Sequence, residues 1–474
     1  MAEGGEYIEI AGGSITEVVD NQYNIYAGGN IVNTAAKSVI ESGANKGVKF
    51  GAPLNPPPKV INAKCVVYFR PHSAYVGEYG FDWVRRGDTG AKGDTWFKTI
   101  IGRYRNSLKQ IEQIYDSGTS LDLHPPITLA TDVLEYNKLM QTFQPLLVLF
   151  KQTAKNTDFI YDVPVLTLLK GKKAKLTLMT EVVEEPQLLK FKCNGKDIAQ
   201  EKDIKLSKPT VTPKSKGKHT LTNYLEIDCI NDFAQNKEIS VIAVNTDKTE
   251  HEVGKLVILA NDKAHRYKAN IVFVEVITKN ISTRTPRKAK PVGRATELKK
   301  YLNQAYIQPH VTTVTLDLTA DATFNQQYSN HGTLTPHGVS GSVPAIRIQD
   351  YLAHKFAKQH PNTAKVNYTD SYKIFFVNEP NASLYGESKG IGSPAQKVRE
   401  VLVLPLGFAD STLAHELMHA MGLLHTFDNN NKFTFKQYET NNIMDYSDEP
   451  PYNIPVISTF RFQWPILQSN NQKE

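Results

Sequence analysis

The stretch that decides the fold of the C-terminal region is His415-Glu416-Leu417-Met418-His419-Ala420-Met421-Gly422-Leu423-Leu424-His425. His415 and His419 stand four positions apart, so one helical face presents both imidazoles to a single metal ion. Zn²⁺ accepts histidine nitrogens at about 2.0–2.1 Å in a tetrahedral arrangement. Glu416 leaves the same turn, where a carboxylate can take a proton from water and pass it to a leaving amine. The stretch therefore predicts a helix that carries a catalytic zinc site.

Gly422 predicts how a third histidine joins this site. In a straight helix, His425 would lie ten positions from His415 and could not close the site. Glycine adopts left-handed conformations readily, so we expect the helix to end at Gly422 and the chain to turn back. His425 then supplies the third ligand, and the fourth position stays open for water or a substrate carbonyl. No ligand of a catalytic zinc site is missing from this set.

A second motif stands about twenty residues further on, as Asn442-Ile443-Met444-Asp445-Tyr446-Ser447. The long histidine motif followed by this methionine turn resembles the metzincin clan of zinc endopeptidases, and residues 422–427 and 444–446 are most similar to its pappalysin-like branch. The resemblance implies that Met444 forms an apolar floor beneath the metal. It also implies that Tyr446 ligates zinc or hydrogen-bonds the tetrahedral intermediate. Ordinary packing is the alternative for both residues.

The resemblance covers roughly the last 200 residues and implies a protein or peptide substrate. In metzincins the substrate binds as an added strand on a sheet edge, which residues 401–405 are candidates to border, and residues 448–464 would line the S1′ pocket. The local patterns upstream fit such a domain, because strands and helices alternate before the motif helix. They predict strands at 271–278, 311–318, 372–377 and 401–404, and helices at 295–305 and 348–359.

The whole chain is predicted to be a multidomain α+β protein with four parts. Short β-like runs between polar turns predict an immunoglobulin-like β-sandwich. The parts are a Gly-rich β-repeat segment (1–58), a mixed α/β domain of unknown role (59–160), the sandwich (161–263) and the metzincin-like catalytic domain (264–474). Within the second part, an aromatic and charged stretch at 77–86 predicts a packed corner in which Asp82 pairs with an arginine.

The N-terminal segment repeats a short pattern: Ile10-Ala11-Gly12-Gly13-Ser14-Ile15 recurs sixteen residues later as Tyr26-Ala27-Gly28-Gly29-Asn30-Ile31. Strands punctuated by glycine at a fixed period predict stacked β-coils that need neighbouring coils to bury their apolar face. The segment resembles the needle of the valine–glycine-repeat spike proteins of type VI secretion and related contractile machines. The resemblance implies a secreted effector or toxin whose partners are secretion-spike proteins. A Gly-rich β segment that caps the next domain is the alternative.

Composition and charge limit the classes of partner. The formal net charge of +7 over 474 residues is mild, and no stretch combines dense Lys and Arg with stacking aromatics, so no nucleic-acid partner is expected. No stretch reaches the ~18 apolar residues of a membrane span. The N-terminus MAEGGEYIEI lacks the basic and apolar regions of a Sec signal peptide. We therefore expect synthesis in the cytoplasm and secretion, if it occurs, without a cleaved signal.

Cysteine usage is sparse, with only Cys65, Cys193 and Cys229 in the sequence. Such a set is not a disulfide framework. Cys193 and Cys229 fall in one predicted β-rich region, where they either pair or remain buried thiols.

The sequence as a whole predicts a zinc metalloendopeptidase with His415, His419 and His425 as metal ligands and Glu416 and Tyr446 as catalytic residues. A catalytically inert spike or adaptor that retains a relic protease fold is one alternative. A carbohydrate- or surface-binding protein with an accessory peptidase is another. Hydrolysis of a non-peptide amide is a further option within the enzyme class.

Overall fold

The computed structural model describes residues 59–61, 63–114, 127–153, 156–280, 283–330, 333–338, 346–381, 383–409 and 411–474. The predicted Gly-rich repeat of residues 1–58 lies outside the described residues. The described chain is multidomain and of mixed α+β class, with more strand than helix. No helix in these ranges is both long and apolar enough to cross a membrane.

The first elements of the described chain are short strands and helices. They are β1 (Lys59–Ile61), β2 (Cys65–Pro71), β3 (Gly80–Asp82), α1 (Phe97–Ile100), β4 (Ile101–Arg105), β5 (Thr128–Thr131), α2 (Val133–Met140), β6 (Gln144–Gln152) and β7 (Asp158–Val163).

A strand-rich region follows, in which two sheets enclose one apolar core. Its strands are β8 (Val165–Thr167), β9 (Lys173–Val182), β10 (Leu188–Cys193), β11 (Lys196–Asp197), β12 (Ile204–Leu206), β13 (Gly217–Cys229), β14 (Lys237–Val244) and β15 (Glu250–Ile258). The strand orders are β11-β10-β14-β15-β8-β3 and β12-β13-β9-β2. Side chains of both sheets belong to one buried cluster, because alternate residues of each strand point inward. All three cysteines are buried free thiols, so Cys193 and Cys229 do not pair.

Residues 59–160, predicted as a separate mixed domain, are divided between two larger cores. β2 pairs with β9 and β3 with β8, which makes these early strands part of the two sandwich sheets. In contrast, the buried side chains of α1, α2 and β4 belong to the core that also contains the motif helix. The predicted pair within the aromatic corner is present, since Asp82 and Arg85 form a buried ion pair. The pairing partners lie about 100 residues away or more, so local patterns do not reveal them.

The C-terminal region is built on a mainly parallel sheet. Its elements are β16 (Tyr267–Lys279), β17 (Pro286–Lys288), α3 (Arg294–Gln304), β18 (Ile307–Asp317), α4 (Ala322–Tyr328), β19 (Ser329–Asn330), β20 (Thr333–Leu334), α5 (Ile348–Gln359), β21 (Tyr372–Val377), β22 (Gly386–Ser388), β23 (Glu400–Val403), α6 (Thr412–Ala420), β24 (Thr434–Phe435), α7 (Trp464–Ser469) and β25 (Gln472–Lys473). Every strand and helix predicted here is present within a few residues, and the additions are α4, α7 and the short strands β17, β19, β20, β22, β24 and β25.

The central sheet has helices on both faces. β16 pairs in parallel with β18 and β21, β21 pairs in parallel with β23, and β22 joins β23 as an antiparallel strand at the end of the order. One face packs on α3 and α6, and the other packs on α4 and α5. Strands buried on both faces are near-continuously apolar, as Tyr372–Val377 is. The motif helix α6 packs against β22 and β23 of this sheet.

Candidate metal centre and active site

The motif helix α6 ends as the glycine in the sequence predicts. Gly422 has a φ of +100°, in the left-handed region where a side chain would be strained. Its N–H donates to the His419 carbonyl, and the Leu423 N–H donates to the Met418 carbonyl, each at 2.9 Å. These two bonds form a Schellman motif, which satisfies carbonyls at the helix end and reverses the chain. The reversal brings His425 back towards the two histidines of the helix.

Three imidazole nitrogens converge at one point. The Nε2 atom of His415 lies 3.1 Å from Nε2 of His419 and 3.1 Å from Nε2 of His425, and the His419–His425 distance is 2.9 Å. Three ligands at about 2.0–2.1 Å from a tetrahedral zinc ion lie about 3.3 Å apart. The observed spacing is a few tenths of an ångström tighter. Among the described residues, this is the one group of three metal-binding side chains that is close enough to hold an ion.

Backbone carbonyls fix the tautomers of two of these rings. The Nδ1 atom of His415 lies 2.8 Å from the Ile443 carbonyl oxygen, and Nδ1 of His419 lies 2.7 Å from the Leu423 carbonyl oxygen. A carbonyl only accepts, so each Nδ1 carries the hydrogen and each Nε2 presents a lone pair to the centre. Lone pairs aimed at each other across about 3 Å repel, and a cation between them removes the repulsion. The donor set therefore fits a divalent metal that prefers imidazole nitrogen.

Burial keeps the rings of His419 and His425 neutral. The exposed fractions of His415, His419 and His425 are 6%, 6% and 9%. Burial, reinforced by the neighbouring His415 ring, lowers the pKa of His419 to about 3, although its hydrogen bond to Leu423 opposes the shift. The pKa of His425 is also lowered, by burial and then by the other two rings. Neutral imidazole is the form that binds a metal, so the site is set for metal binding at neutral pH.

The lowered pKa of His419 predicts how the stability of the metal-free protein depends on pH. Between pH 6.5 and 3, the unfolded chain binds a proton at this residue that the folded chain does not. The free energy of unfolding should therefore fall on acidification, by up to about 1.4 kcal/mol per pH unit for this group. Urea unfolding of chelator-treated protein at pH 7 and pH 5.5 measures the slope. His419→Gln should have the shallower slope, and equal slopes would contradict the assignment.

The Glu416 carboxylate is held at the rim of the sheet. Its Oε2 accepts a 2.7 Å hydrogen bond from the backbone N–H of Ser388 in β22. β22 lies so close to α6 that a Cβ on Gly386 would come within 2.7 Å of Thr412 and 3.1 Å of Cγ of Glu416. Gly386 and Ser388 lie between the ladder bonds to β23, so their backbone polar groups face away from that strand. The edge strand beside Glu416 is thus β22, one strand beyond the predicted 401–405.

Tyr446 and Phe427 complete the aromatic surroundings of the third ligand. The Tyr446 hydroxyl lies 2.9 Å from Nε2 of His425, and its ring stacks on His415 at 5.4 Å between centroids. Phe427 stacks on His425 with a centroid distance of 4.8 Å and an interplanar angle of 7°. Because Phe427 is only 1% exposed, it fixes the plane of the His425 ring by packing. The Tyr446 hydroxyl therefore stands beside the nitrogens that converge on the metal position.

The turn around Met444 is tied to both metal-binding segments. The Met444 side chain is fully buried in the core that contains α6. The backbone carbonyl of Met444 accepts a 3.0 Å hydrogen bond from the N–H of Thr426, the residue after His425. The backbone carbonyl of Ile443 accepts from Nδ1 of His415. The Met444 N–H in turn donates to Asn442 Oδ1 at 2.9 Å. The turn thus sets the positions of two ligands through its backbone, in addition to packing.

The loop that follows His425 is anchored by the hairpin of β4 and β5. The Arg103 guanidinium donates to the carbonyls of Asn429 and Asn431 at 2.7 and 3.0 Å. The side chain of Asn429 accepts from the Tyr104 N–H and donates to the Tyr104 carbonyl. β4 also pairs with β24. Residues more than 300 positions upstream therefore hold the loop that carries the third ligand.

The structure brings every predicted site residue together, while several residues of the site are not evident from the sequence. His415, His419, His425 and Tyr446 share one place, and Glu416 leaves the same helix turn with its carboxylate on the Ser388 N–H. The additional residues are Ser388, Ile443, Leu423, Phe427, Arg103 and Asn429. Half of these, namely Ser388, Ile443 and Leu423, act through backbone groups, which carry no residue-type signature. Phe427, two positions after the third histidine, is the one that its place in the sequence could have marked.

The sequence was compared with families of known proteins and with curated proteins. No model of a protein family matches the sequence, and no curated protein matches it. The geometry of the histidine cluster is therefore the basis for proposing a function.

Proposed function

We propose that this chain is a zinc-dependent endopeptidase that hydrolyses peptide bonds within proteins or peptides. The observation that carries the proposal is the convergence of the Nε2 atoms of His415, His419 and His425, with the Tyr446 hydroxyl 2.9 Å from the last of them. Three neutral imidazoles with an open fourth position are typical of catalytic zinc rather than structural zinc. The accompanying fold proposal is a metzincin-like domain over 264–474 and an immunoglobulin-like sandwich over 161–263.

The protein residues have separate tasks in this mechanism. Zinc, when bound, would polarise the scissile carbonyl and lower the pKa of water to about 7. Glu416, one residue after the first ligand, takes the proton from the attacking water and later gives it to the leaving amine. The Ser388 N–H donates to one oxygen of this carboxylate and so fixes its orientation. Gly386 offers outward-facing backbone groups on which an extended peptide can pair.

Tyr446 would stabilise the negative charge that develops on the substrate carbonyl oxygen. Its hydroxyl lies 2.9 Å from Nε2 of His425. A metal held by that nitrogen would occupy its lone pair, and the hydroxyl could then donate to the substrate oxygen. A donor placed in advance at this position favours the transition state over the ground state.

Tyr446→Phe should therefore lower kcat by about 10²-fold, the typical cost of losing one oxyanion donor. Zinc content should stay at about one ion per chain, because the hydroxyl is not among the three nitrogen ligands. Steady-state kinetics and elemental analysis on the same sample measure both quantities. Tyr224→Phe, which removes a hydroxyl from the sandwich, is the matched control. A Tyr446→Phe variant as active as the parent would remove Tyr446 from the mechanism.

The alternatives from the sequence have less support. An inert spike or adaptor does not need three converging imidazoles, two of them with fixed tautomers, and a carboxylate oriented by a backbone N–H. The surface-binding alternative depends on the sandwich and does not account for the histidine cluster. Delivery by a contractile secretion machine remains a prediction from residues 1–58, which lie outside the described part of the chain.

Digestion of a peptide library blocked at both termini tests the proposal. Mass spectrometry should find products cut at internal bonds, which an endopeptidase makes and an exopeptidase does not. A chelator should abolish these products, and added zinc should restore them. A library left intact by zinc-loaded protein would favour the inert alternative.

A further inference from the structure

A loop from the N-terminal part of the chain reaches the metal-binding region. Residues 87–95, named here the 87–95 loop, fold around the buried carboxylate of Asp94. This carboxylate accepts from the Thr89 N–H at 2.8 Å and the Thr89 hydroxyl at 2.7 Å, and lies 3.4 Å from the Gly87 nitrogen. The Asp94 N–H donates to the Ala91 carbonyl at 3.1 Å. The loop thus has a fixed shape of its own.

The loop contacts the chain on both sides of the turn around Met444. The Asp94 backbone forms an antiparallel bridge with Thr440. Gly93, with a φ of +81°, fits so tightly that a Cβ there would lie 2.7 Å from Cβ of Asn441 and 2.8 Å from Cγ2 of Ile454. Just outside the loop, the Arg85 guanidinium is 3.5 Å from Asn441 Oδ1. A side chain added at position 93 would therefore have to displace Asn441 and Ile454.

One of these segments borders the metal-binding region. Residues 447–454, named here the 447–454 loop, begin directly after Tyr446 and close on themselves, because the Ile454 N–H donates to the Ser447 carbonyl at 2.8 Å. Within this loop, Asp448 accepts from the Ser411 hydroxyl at the start of α6, at 3.0 Å. The 87–95 loop reaches its far end, where Lys92 Nζ donates to the Asn453 carbonyl at 3.2 Å. The 447–454 loop is therefore held between the motif helix and the 87–95 loop.

We propose that the 87–95 loop is a positioning element of the peptidase: it holds the 447–454 loop as a wall beside Tyr446 and so influences which substrate side chains are accepted next to the scissile bond. The inference rests on the proposed function and deepens it. It makes the N-terminal region part of the substrate-binding site, although that region supplies no metal ligand and no catalytic residue. A wall displaced by a fraction of an ångström changes the fit of a side chain, whereas the three imidazoles stay on α6 and its terminal turn.

Two glycines of the same loop provide a matched pair for the test. Gly93→Ala introduces a methyl group against Asn441 and Ile454, while Gly90→Ala introduces it at a φ of +70° with nothing within 4 Å. Both variants bear the same kind of backbone strain, and only the first displaces the wall. Lys92→Ala removes the contact to Asn453 from an exposed side chain and is the second variant, in case Gly93→Ala fails to fold.

The measurement is kcat/KM for peptides that differ only in one residue beside the cleaved bond. Gly93→Ala should change the ratios between these peptides by about 10-fold or more, and Lys92→Ala by about 2–5-fold, with zinc content unchanged. Gly90→Ala should keep the parental ratios. Amide hydrogen exchange over residues 441–454, which requires no activity, should rise in Gly93→Ala and not in Gly90→Ala.

The outcomes separate this inference from the proposed function. Parental ratios in both Gly93→Ala and Lys92→Ala, with an active parent, overturn the role of the loop alone. Equal changes in Gly90→Ala and Gly93→Ala overturn it as well, because strain within the loop would then be the cause. A zinc-loaded parent that cleaves no peptide overturns the proposed function and with it the selectivity. The exchange comparison then still decides whether the 87–95 loop holds the wall.

Discussion

Replacing Glu416 with glutamine will lower kcat by about 10²–10⁴-fold, the range that a general base contributes. An amide of the same shape cannot take a proton from the attacking water. The metal will stay, because the ligands are the three imidazoles and Glu416 points to β22, where its carboxylate accepts from the Ser388 N–H. The amide oxygen of glutamine can still accept that bond. Single-turnover kinetics on a peptide substrate, with zinc measured in the same sample, check both parts.

The matched control for this prediction is Glu400→Gln. Glu400 lies on β23 and faces Lys389, with Oε2 and Nζ 3.8 Å apart, so it is outside the histidine cluster. Its replacement should leave activity within about two-fold of the parent, as is usual for partly exposed positions. A Glu416→Gln enzyme that keeps the parental kcat would contradict the general-base mechanism, and one that loses zinc would mean that the carboxylate supports the metal site.

Replacing His425 with alanine will remove both metal and activity. Changes to residues that only support a ligand cost 10–100-fold in metal affinity, so loss of a ligand should cost more than about 100-fold. The two remaining imidazoles lie on one helix turn and leave two positions of a tetrahedral ion to water. Tyr446 would also lose the nitrogen that its hydroxyl contacts. A competition titration with a chromophoric chelator measures the zinc affinity.

His310→Ala is the control for this second prediction, because His310 is an exposed histidine on β18. It should bind zinc as the parent does, with unchanged cleavage. Parental zinc affinity in His425→Ala would show that the ion is held elsewhere, and the proposed ligand set would be wrong.

The sequence predicted the local elements of the C-terminal region well. The helix Ile348–Gln359 and the strand Tyr372–Val377 have the bounds that their patterns indicate. Such patterns depend on neighbours along the chain, which periodicity captures. The division of residues 59–160 depends instead on pairing between distant strands, such as β2 with β9 and β4 with β24. No local pattern carries that information, so a separate domain was predicted where two larger cores share the segment.

Some features of the site were likewise predictable from the sequence, and others were not. The spacing of His415, His419 and His425, with glycine at the helix end, was sufficient to predict that the three side chains meet. The tautomers were not predictable, because they depend on the carbonyls of Ile443 and Leu423, which any residue type offers. The 87–95 loop was also beyond the sequence, since its contacts to residues 440–454 span about 350 positions.

We propose that His415, His419 and His425 hold a zinc ion that serves peptide hydrolysis. The decisive measurement is elemental analysis of the purified chain, with cleavage measured on the same sample before chelation, after chelation and after zinc is added back. We expect about one zinc per chain and cleavage that disappears and returns with the metal. A chain that contains no zinc, binds none when it is supplied and still cleaves peptides would contradict it.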